Sequence, residues 1–299
     1  MSTAVETVQT DVKKNIRAES FWGSVLRHLR KNKPAMVSLV FLIFLVLMCV
    51  FVPIFSPHSI SATGLGADRQ PPCATHWMGT DDLGRDLFVR FFYGGRISLT
   101  IAFWATLLTS FVGVTLGAIS GFYGKWVDTV IMRVSEMFMS FPFLLSAITI
   151  SAFFGGTIQT LVMVFTALGW PPICRIIRGQ ILTLRDLEYM HACEALGISD
   201  FRKVVRHIMP NVLAYVIVYA TLSIAGVILG ETALSFLGLG ISPPTPTWGG
   251  LIQEARSLTV LTQRWWYWIP PGVGIFLTVM SFNVLGDGLR DAIDPKMKR

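Results

Sequence analysis

The residues best suited to metal or acid–base chemistry lie in one polar segment between two apolar stretches. They are His58, Cys73, His76, Asp81, Asp82 and Asp86. Cys73 and His76 have the C-x-x-H spacing of half a zinc site, but no second dense group of ligands accompanies them, so we do not expect zinc. The aspartates lack the alternation and the closing Glu of an EF-hand calcium loop. We expect them instead to cap the next helix and to pair with Arg85.

Two further carboxylates, Glu136 and Glu231, fall inside long apolar stretches. A charge at the centre of a bilayer costs about 2.5–3.5 kcal/mol, so such groups usually face protein or a water-filled path. Glu136 follows Arg133 by about one helical turn, which favours a local ion pair. For Glu231 two interpretations stay open: a structural carboxylate hydrogen-bonded between helices, or a group that lines a solute path.

Sequence patterns for nucleotide binding and hydrolysis are absent. The chain contains no G-x-x-x-x-G-K-[ST] phosphate loop, no H-E-x-x-H and no G-x-S-x-G. Its five histidines are spread along the chain rather than clustered. We therefore expect a non-catalytic protein without a cofactor or a metal of its own.

The composition indicates an integral membrane protein. Of 299 residues, 53% are hydrophobic and only 14% are charged, whereas a soluble domain carries about 25% charged residues. Apolar runs near the ~20 residues that a bilayer core requires predict six membrane-spanning helices. We place them at about 36–56, 97–122, 128–152, 157–177, 211–238 and 268–287. Within the second, Gly113, Gly117 and Gly121 predict close helix packing.

The basic residues predict the orientation. Nineteen of the 25 Lys and Arg residues fall in segments on the side of the N-terminus, and six fall on the other side. The positive-inside rule then places both termini and the loop 185–211 in the cytoplasm. Because the basic residues lie between apolar runs, the net charge of +7 does not indicate a nucleic-acid partner. We expect residues 1–35 to form a cytoplasmic tail with an interfacial helix on the lipid bilayer, whose apolar face would include Phe21, Trp22, Val25 and Leu29.

The loop 185–211 is too charged for hydrocarbon, yet its pattern predicts two helices joined at a corner. Gly197 ends the first helix with a positive φ. Ser199 is placed to cap the second helix, whose predicted apolar face includes Phe201 and Ile208. Pro210 suits the first turn of the next long helix.

This loop resembles the cytoplasmic EAA loop of ABC importer permeases. Ala192 and Gly197 match that pattern, and Pro210 lies thirteen residues after Gly197. His191 stands where the family has Glu, Cys193 replaces Ala, and Met209 replaces Leu. In that family the corner docks into a groove of a separate ATPase subunit.

Other stretches resemble the dipeptide, oligopeptide and nickel branch of these permeases more specifically. They are Gly79–Asp86 (GTDDLGRD), Phe236–Gly240, Pro243–Gly249 and 282–295. The resemblance covers roughly residues 20–299 and is to the C-type subunit. It implies an all-α membrane protein with the type I ABC importer permease fold, comprising a transmembrane domain at 36–299.

The resemblance also implies partners and cargo. They are a homologous second permease, two cytoplasmic ATPase subunits that bind ATP and Mg, and an extracellular solute-binding protein in a bacterial inner membrane. The cargo would be dipeptides or oligopeptides, with nickel or another small solute as the alternative. A proton-coupled secondary transporter, with Glu136 or Glu231 as relay, is the rival class.

Three sets of candidate residues follow. The ATPase-coupling set is His191, Ala192, Cys193, Glu194, Ala195, Leu196, Gly197, Ile198, Ser199, Asp200 and Pro210. The translocation-path set is Glu231, Glu136 and Asn283, where Glu231 could meet a peptide's amino terminus. The set for docking of the binding protein, in the loop 239–267, is Thr247, Trp248, Glu254 and Arg256.

Overall fold

The computed structural model describes residues 21–61, 63–64 and 69–293. The predicted tail before residue 21, the last residues of the 282–295 stretch, and the side chains of Phe21 and Trp22 lie outside the described part. The helices are α1 Phe21–Lys31, α2 Lys33–Phe55, α3 Leu87–Tyr123, α4 Lys125–Ser140, α5 Phe143–Phe154, α6 Ile158–Arg185, α7 Glu188–Ala195, α8 Asp200–Phe236, α9 Trp248–Gln253, α10 Leu258–Gln263 and α11 Trp265–Ile293. Among the described residues no β-strand occurs, which confirms the all-α prediction.

Five of the described helices, α2, α3, α6, α8 and α11, are long and apolar enough to cross a membrane. A sixth span forms if α4 and α5 are taken together, although they meet at an angle of 84°. Pro142 causes the break, since it lacks an N–H and disfavours helical backbone at the residue before it. Phe141 is accordingly extended, with φ −92° and ψ 136°. The prediction of six spans is confirmed, with one of them bent.

Two spans begin well before the apolar run that predicts them. Helix α3 starts at Leu87 because the Asp86 side chain accepts a hydrogen bond from the Val89 N–H at 3.0 Å and caps the first turn. Helix α8 starts at Asp200 and reaches the apolar run through a π-helical segment, Lys203–Ile208. Hydropathy alone misses both starts because polar side chains there find partners in the fold.

The predicted glycine stripe brings α3 and α6 into backbone contact. A Cβ at Gly117 would lie 2.6 Å from the Cys174 carbonyl oxygen. One at Gly121 would lie 3.0 Å from the Arg178 oxygen. Only glycine allows this approach, which confirms the close packing predicted from the four-residue repeat.

The spans have two ends. We call them the corner end, after the corner between α7 and α8, and the loop end, after the loop 239–267. At the corner end, Arg185 Nη1 donates to the Gly121 oxygen at 3.1 Å, and α7 begins three residues later. At the loop end, Tyr267 donates from its hydroxyl to Asp82 at 3.1 Å and ties α11 to the segment before α3. Successive spans run alternately between these ends.

Helix α1 lies at the corner end and packs partly on protein. Leu29 is buried with Ala35 and Leu285, whereas Leu26 is half exposed. Part of the face predicted to meet lipid therefore contacts α11 instead.

Candidate functional site

The corner between α7 and α8 has a defined backbone geometry. Gly197 has φ +68°, as the sequence predicts, and its N–H donates to the Glu194 oxygen at 2.9 Å. The Ile198 N–H donates to the Cys193 oxygen at 3.0 Å, which completes a Schellman-type helix ending. The Ser199 side chain makes no capping bond, contrary to expectation; its backbone oxygen accepts from the Lys203 N–H at 3.0 Å. The corner is therefore built by backbone bonds around one glycine.

Apolar side chains fix the corner to the spans. Met190 is buried with Ile181 of α6 and Ile208 of α8. Cys193 is buried on the same side of α7. Lys203 pairs with Asp200 at 2.8 Å. Met190 therefore connects α7 to both α6 and α8.

The opposite side of the corner is open and partly apolar. The side chains of Leu196 and Phe201 are 78% and 79% exposed. The other coupling candidates on this side are also exposed: His191, Ala192, Glu194, Ala195, Ser199, Asp200 and Pro210. Two large apolar side chains exposed on a charged corner form a surface suited to a protein partner.

Sequence reasoning missed Phe201 as a surface residue. A regular α-helix would place Phe201 and Ile208 on one face, because seven residues make nearly two turns. The π-helical segment Lys203–Ile208 has wider turns and changes this register, so Ile208 is buried while Phe201 is exposed. The sequence carries no clear signal for that segment.

Glu231 joins three elements at a buried position. Its side chain is fully buried. One carboxylate oxygen accepts from Ser98 Oγ of α3 at 3.0 Å and the other from Ser235 Oγ at 2.7 Å. The Trp248 N–H in turn donates to Ser98 Oγ at 3.3 Å. This geometry favours the structural interpretation, since Glu231 does not open onto a path in this conformation.

The other two path candidates lie elsewhere. Glu136 accepts from Arg133 Nη1 at 2.8 Å, which is the local ion pair that the spacing predicts. Both side chains are exposed on α4. Asn283 is exposed on α11. Among the described residues, no hydrogen bond or ion pair joins either of them to Glu231.

A charged cluster closes the loop end. Asp81 is buried and accepts from Arg85 Nε at 2.6 Å, while Arg90 Nε lies 3.4 Å away. Glu254 lies 3.8 Å from Arg85 and 3.9 Å from Arg90. Burial raises the pKa of the Glu254 carboxyl to about 7, although Arg90 and Arg85 oppose the shift. The predicted pairing of Arg85 and the cap by Asp86 are both present.

The structure places the four docking candidates in different surroundings. Thr247 and Trp248 are buried, the first capping α9 through Gly250 N at 3.0 Å and the second donating from Nε1 to the Phe91 oxygen at 3.0 Å. Glu254 faces the two arginines. Arg256 is exposed and lies over the Phe236 ring at 4.9 Å. In this conformation Thr247 and Trp248 position the loop, and neither side chain offers a surface to a binding protein.

Comparison with known proteins extends these observations. Residues 113–299 match the family described as binding-protein-dependent transport system inner membrane component, and residues 20–72 match the N-terminal TM domain of oligopeptide transport permease C. The dipeptide transport system permease protein DppC of Bacillus subtilis is 40% identical over 280 residues, 94% of this chain and 87% of that protein. The oligopeptide transport system permease protein OppC of the same bacterium is 39% identical over 280 residues, 94% of this chain and 91% of that protein. A putative peptide permease protein of Brucella suis is 39% identical over 266 residues, 89% of this chain and 88% of that protein.

Proposed function

Because this chain belongs to the family of inner membrane components of binding-protein-dependent transport systems, we propose that it is a permease subunit of an ABC importer for peptides. It forms half of the translocation path and has no catalytic role of its own. The relatives named above are dipeptide, oligopeptide and peptide permeases, which favours peptides over nickel as cargo.

The exposed corner between α7 and α8 is the main support for this proposal. Leu196 and Phe201 project from a backbone that Gly197 bends and that Met190 anchors to the spans. We assign this surface to a cytoplasmic ATPase subunit, one of two that would bind ATP and Mg. The full contact set is the coupling set proposed above, His191 to Asp200 with Pro210, to which the exposure of Phe201 adds one residue.

The arrangement of helices suggests how the movement of an ATPase reaches the cargo. ATP closes the ATPase pair and displaces the corner, and the buried contacts of Met190 pass the displacement to α6 and α8. Since both helices run to the loop end, they rock together and alternate access to a path shared with a homologous second permease. A solute-binding protein delivers peptide at the loop end, which we place outside a bacterial inner membrane, with both termini in the cytoplasm.

The rival proton-coupled mechanism finds less support. A relay needs neighbouring titratable groups along a wetted path. Glu231 accepts hydrogen bonds from two serines in a fully buried position, and Glu136 pairs with Arg133 on an exposed face. No hydrogen bond joins the two carboxylates among the described residues.

Site-directed cross-linking tests the proposal. Single cysteines at Leu196 and Phe201 should cross-link to the ATPase subunit in the assembled complex, because both side chains point away from the spans. A cysteine at Leu258, which is exposed at the loop end, is the matched control and should not cross-link to it. Failure of both corner cysteines to cross-link in a complex that hydrolyses ATP would remove the assignment.

A further inference from the structure

Three potential metal ligands that are distant in the sequence converge at the loop end. They are His58, two residues beyond the cap of α2, His76, and Asp86 at the start of α3. One ligand atom from each lies within 4.8 Å of the other two. His76 and Asp86 are buried, and His58 is half-buried. The C-x-x-H spacing did not predict this group, because the third member is not Cys73 but a carboxylate that also caps a helix.

We propose that His58, His76 and Asp86 form a binding site for a divalent transition-metal ion of the zinc class. Two imidazoles and one carboxylate are ligands that zinc favours, and three protein ligands leave a fourth position for water. Nothing in the transport mechanism derived above uses these residues, so the site is independent of the proposed function.

Hydrogen bonds already orient the two imidazoles. His58 Nε2 lies 3.3 Å from the Thr75 carbonyl oxygen, which can only accept, so Nε2 donates and Nδ1 is the ring nitrogen left to bind a metal ion. The rings of His58 and His76 lie 5.0 Å apart, centroid to centroid. The backbone N–H of His58 donates to Ser56 Oγ at 3.1 Å, which holds the residue beside the end of α2. A backbone-held second partner of this kind fixes the tautomer of metal-binding histidines.

His76 and Asp86 form the closest pair of the group. The proton on His76 Nδ1 is donated in a hydrogen bond to Asp86 Oδ2, with 2.7 Å between the two atoms. A zinc ion would take the place of that proton and bind both atoms, with bonds of about 2.0–2.1 Å. Tetrahedral geometry at those bond lengths separates two ligand atoms by about 3.4 Å, so the pair has to widen by only about 0.7 Å. Metal binding would release the proton.

A pocket gives access to the site. It has a volume of about 410 Å³ and is lined by Ser56, His58, Thr75 and Asp86 together with apolar side chains of α2 and α3, among them Phe55 and Phe88. An ion bound there would join the end of α2 to the start of α3. It should therefore stabilise the loop end against thermal unfolding.

Titration of the assembled, tag-free complex in nanodiscs with Zn²⁺ tests the proposal. The native complex should bind one ion at this site with a dissociation constant in the micromolar range or below, and Zn²⁺ should raise its unfolding temperature. His58→Gln should remove one ion from the stoichiometry and abolish the temperature shift. His58 is the decisive position because it is half-buried and caps no helix, so its variant should unfold at the native temperature without metal.

Two controls define the ligand set. His207→Gln, at the corner end, should bind as the native protein does. Cys73→Ser should also retain the ion, and Co²⁺ bound to the native complex should show d–d absorption without a thiolate charge-transfer band. Equal Zn²⁺ binding by the native and His58→Gln complexes would overturn the proposal. Loss of the ion in Cys73→Ser would overturn the ligand set.

Discussion

The Glu231 carboxylate accepts a hydrogen bond from Ser98 Oγ at 3.0 Å although 133 residues separate the two in the chain. Ser98 also accepts from the Trp248 N–H, so α3, α8 and α9 meet at one buried carboxylate. This connection links the loop end to two of the long spans.

Replacing Glu231 should destabilise the protein through its partners. In Glu231→Ala the buried hydroxyls of Ser98 and Ser235 lose their acceptor, which costs about 1–3 kcal/mol for each unsatisfied group. Glu231→Gln keeps an acceptor and should lose much less. The unfolding temperature of the purified complex measures the loss of stability in both variants. Glu136→Gln, at an exposed pair, is the control and should be neutral; equal unfolding temperatures for Glu231→Ala and Glu136→Gln would contradict the structural role.

The glycine stripe gives a second prediction. Gly117→Ala places a Cβ 2.6 Å from the Cys174 oxygen and 3.0 Å from Ile177 Cβ, so α3 and α6 must separate. Overpacking of this kind typically costs about 1–3 kcal/mol. Gly179→Ala is the matched control, because nothing lies within 4 Å of its new Cβ and alanine favours the helix. Thermal unfolding that ranks the two variants in the opposite order would refute the close packing.

Glu254 should make stability depend on pH. Its pKa is raised by burial from the ordinary 4.5 to about 7, despite the opposing Arg90 and Arg85, with Asp81 and Asp82 adding to the rise. The folded state therefore holds this proton more tightly than the unfolded state. Stability contributed by the protonated group is full below pH 4.5, is lost as pH rises towards 7, and then levels off.

Glu254→Gln should remove that dependence. Unfolding temperatures of native and Glu254→Gln complexes, measured from pH 5 to pH 8, should diverge as pH rises from 5 to about 7, with the native protein falling relative to the variant, and should then run parallel. Parallel profiles would show that Glu254 titrates normally.

Thiol labelling tests the orientation. Cys73 is exposed at the loop end, whereas Cys174 and Cys193 are buried and would escape labelling on either side. We therefore expect an impermeant reagent to label Cys73 on intact cells, and to label a Leu196→Cys variant, expressed without the ATPase subunits that would cover this residue, only after permeabilisation. Labelling of that variant on intact cells would invert the topology.

Much of the fold could be predicted from hydropathy and spacing, because an apolar run of about 20 residues has few alternatives to a membrane helix. The corner at Gly197 was predictable for a similar reason, since a positive φ after a helix favours glycine. The start of α3 was not predictable from hydropathy. Arg90 is buried near the start of the helix beside Asp81 and Glu254, and the latter comes from a distant loop.

The parts of the sites that escaped prediction depend on contacts between distant segments or on local irregularities of a helix. Neither residue type nor spacing indicates the hydrogen bond between Ser98 and Glu231. Phe201 is exposed because of a π-helical segment that the sequence does not predict. Ligand atoms of His58 and Asp86 lie within 4.8 Å of each other although 28 residues separate them in the chain, which composition cannot show.

We propose that the corner at Gly197 couples the ATPase to the spans, and peptide-stimulated ATP hydrolysis by the reconstituted complex measures this coupling. Gly197→Val forces a β-branched residue to positive φ, which costs roughly 1–2 kcal/mol and distorts the docking surface. Nothing lies within 4 Å of the added Cβ, so the spans should be undisturbed. Gly197→Asn is the matched control, since asparagine tolerates this conformation. We expect the valine variant to assemble but to lose stimulation, whereas the asparagine variant should keep most of it. Full stimulation in an assembled Gly197→Val complex would show that the corner does not couple the ATPase to the spans.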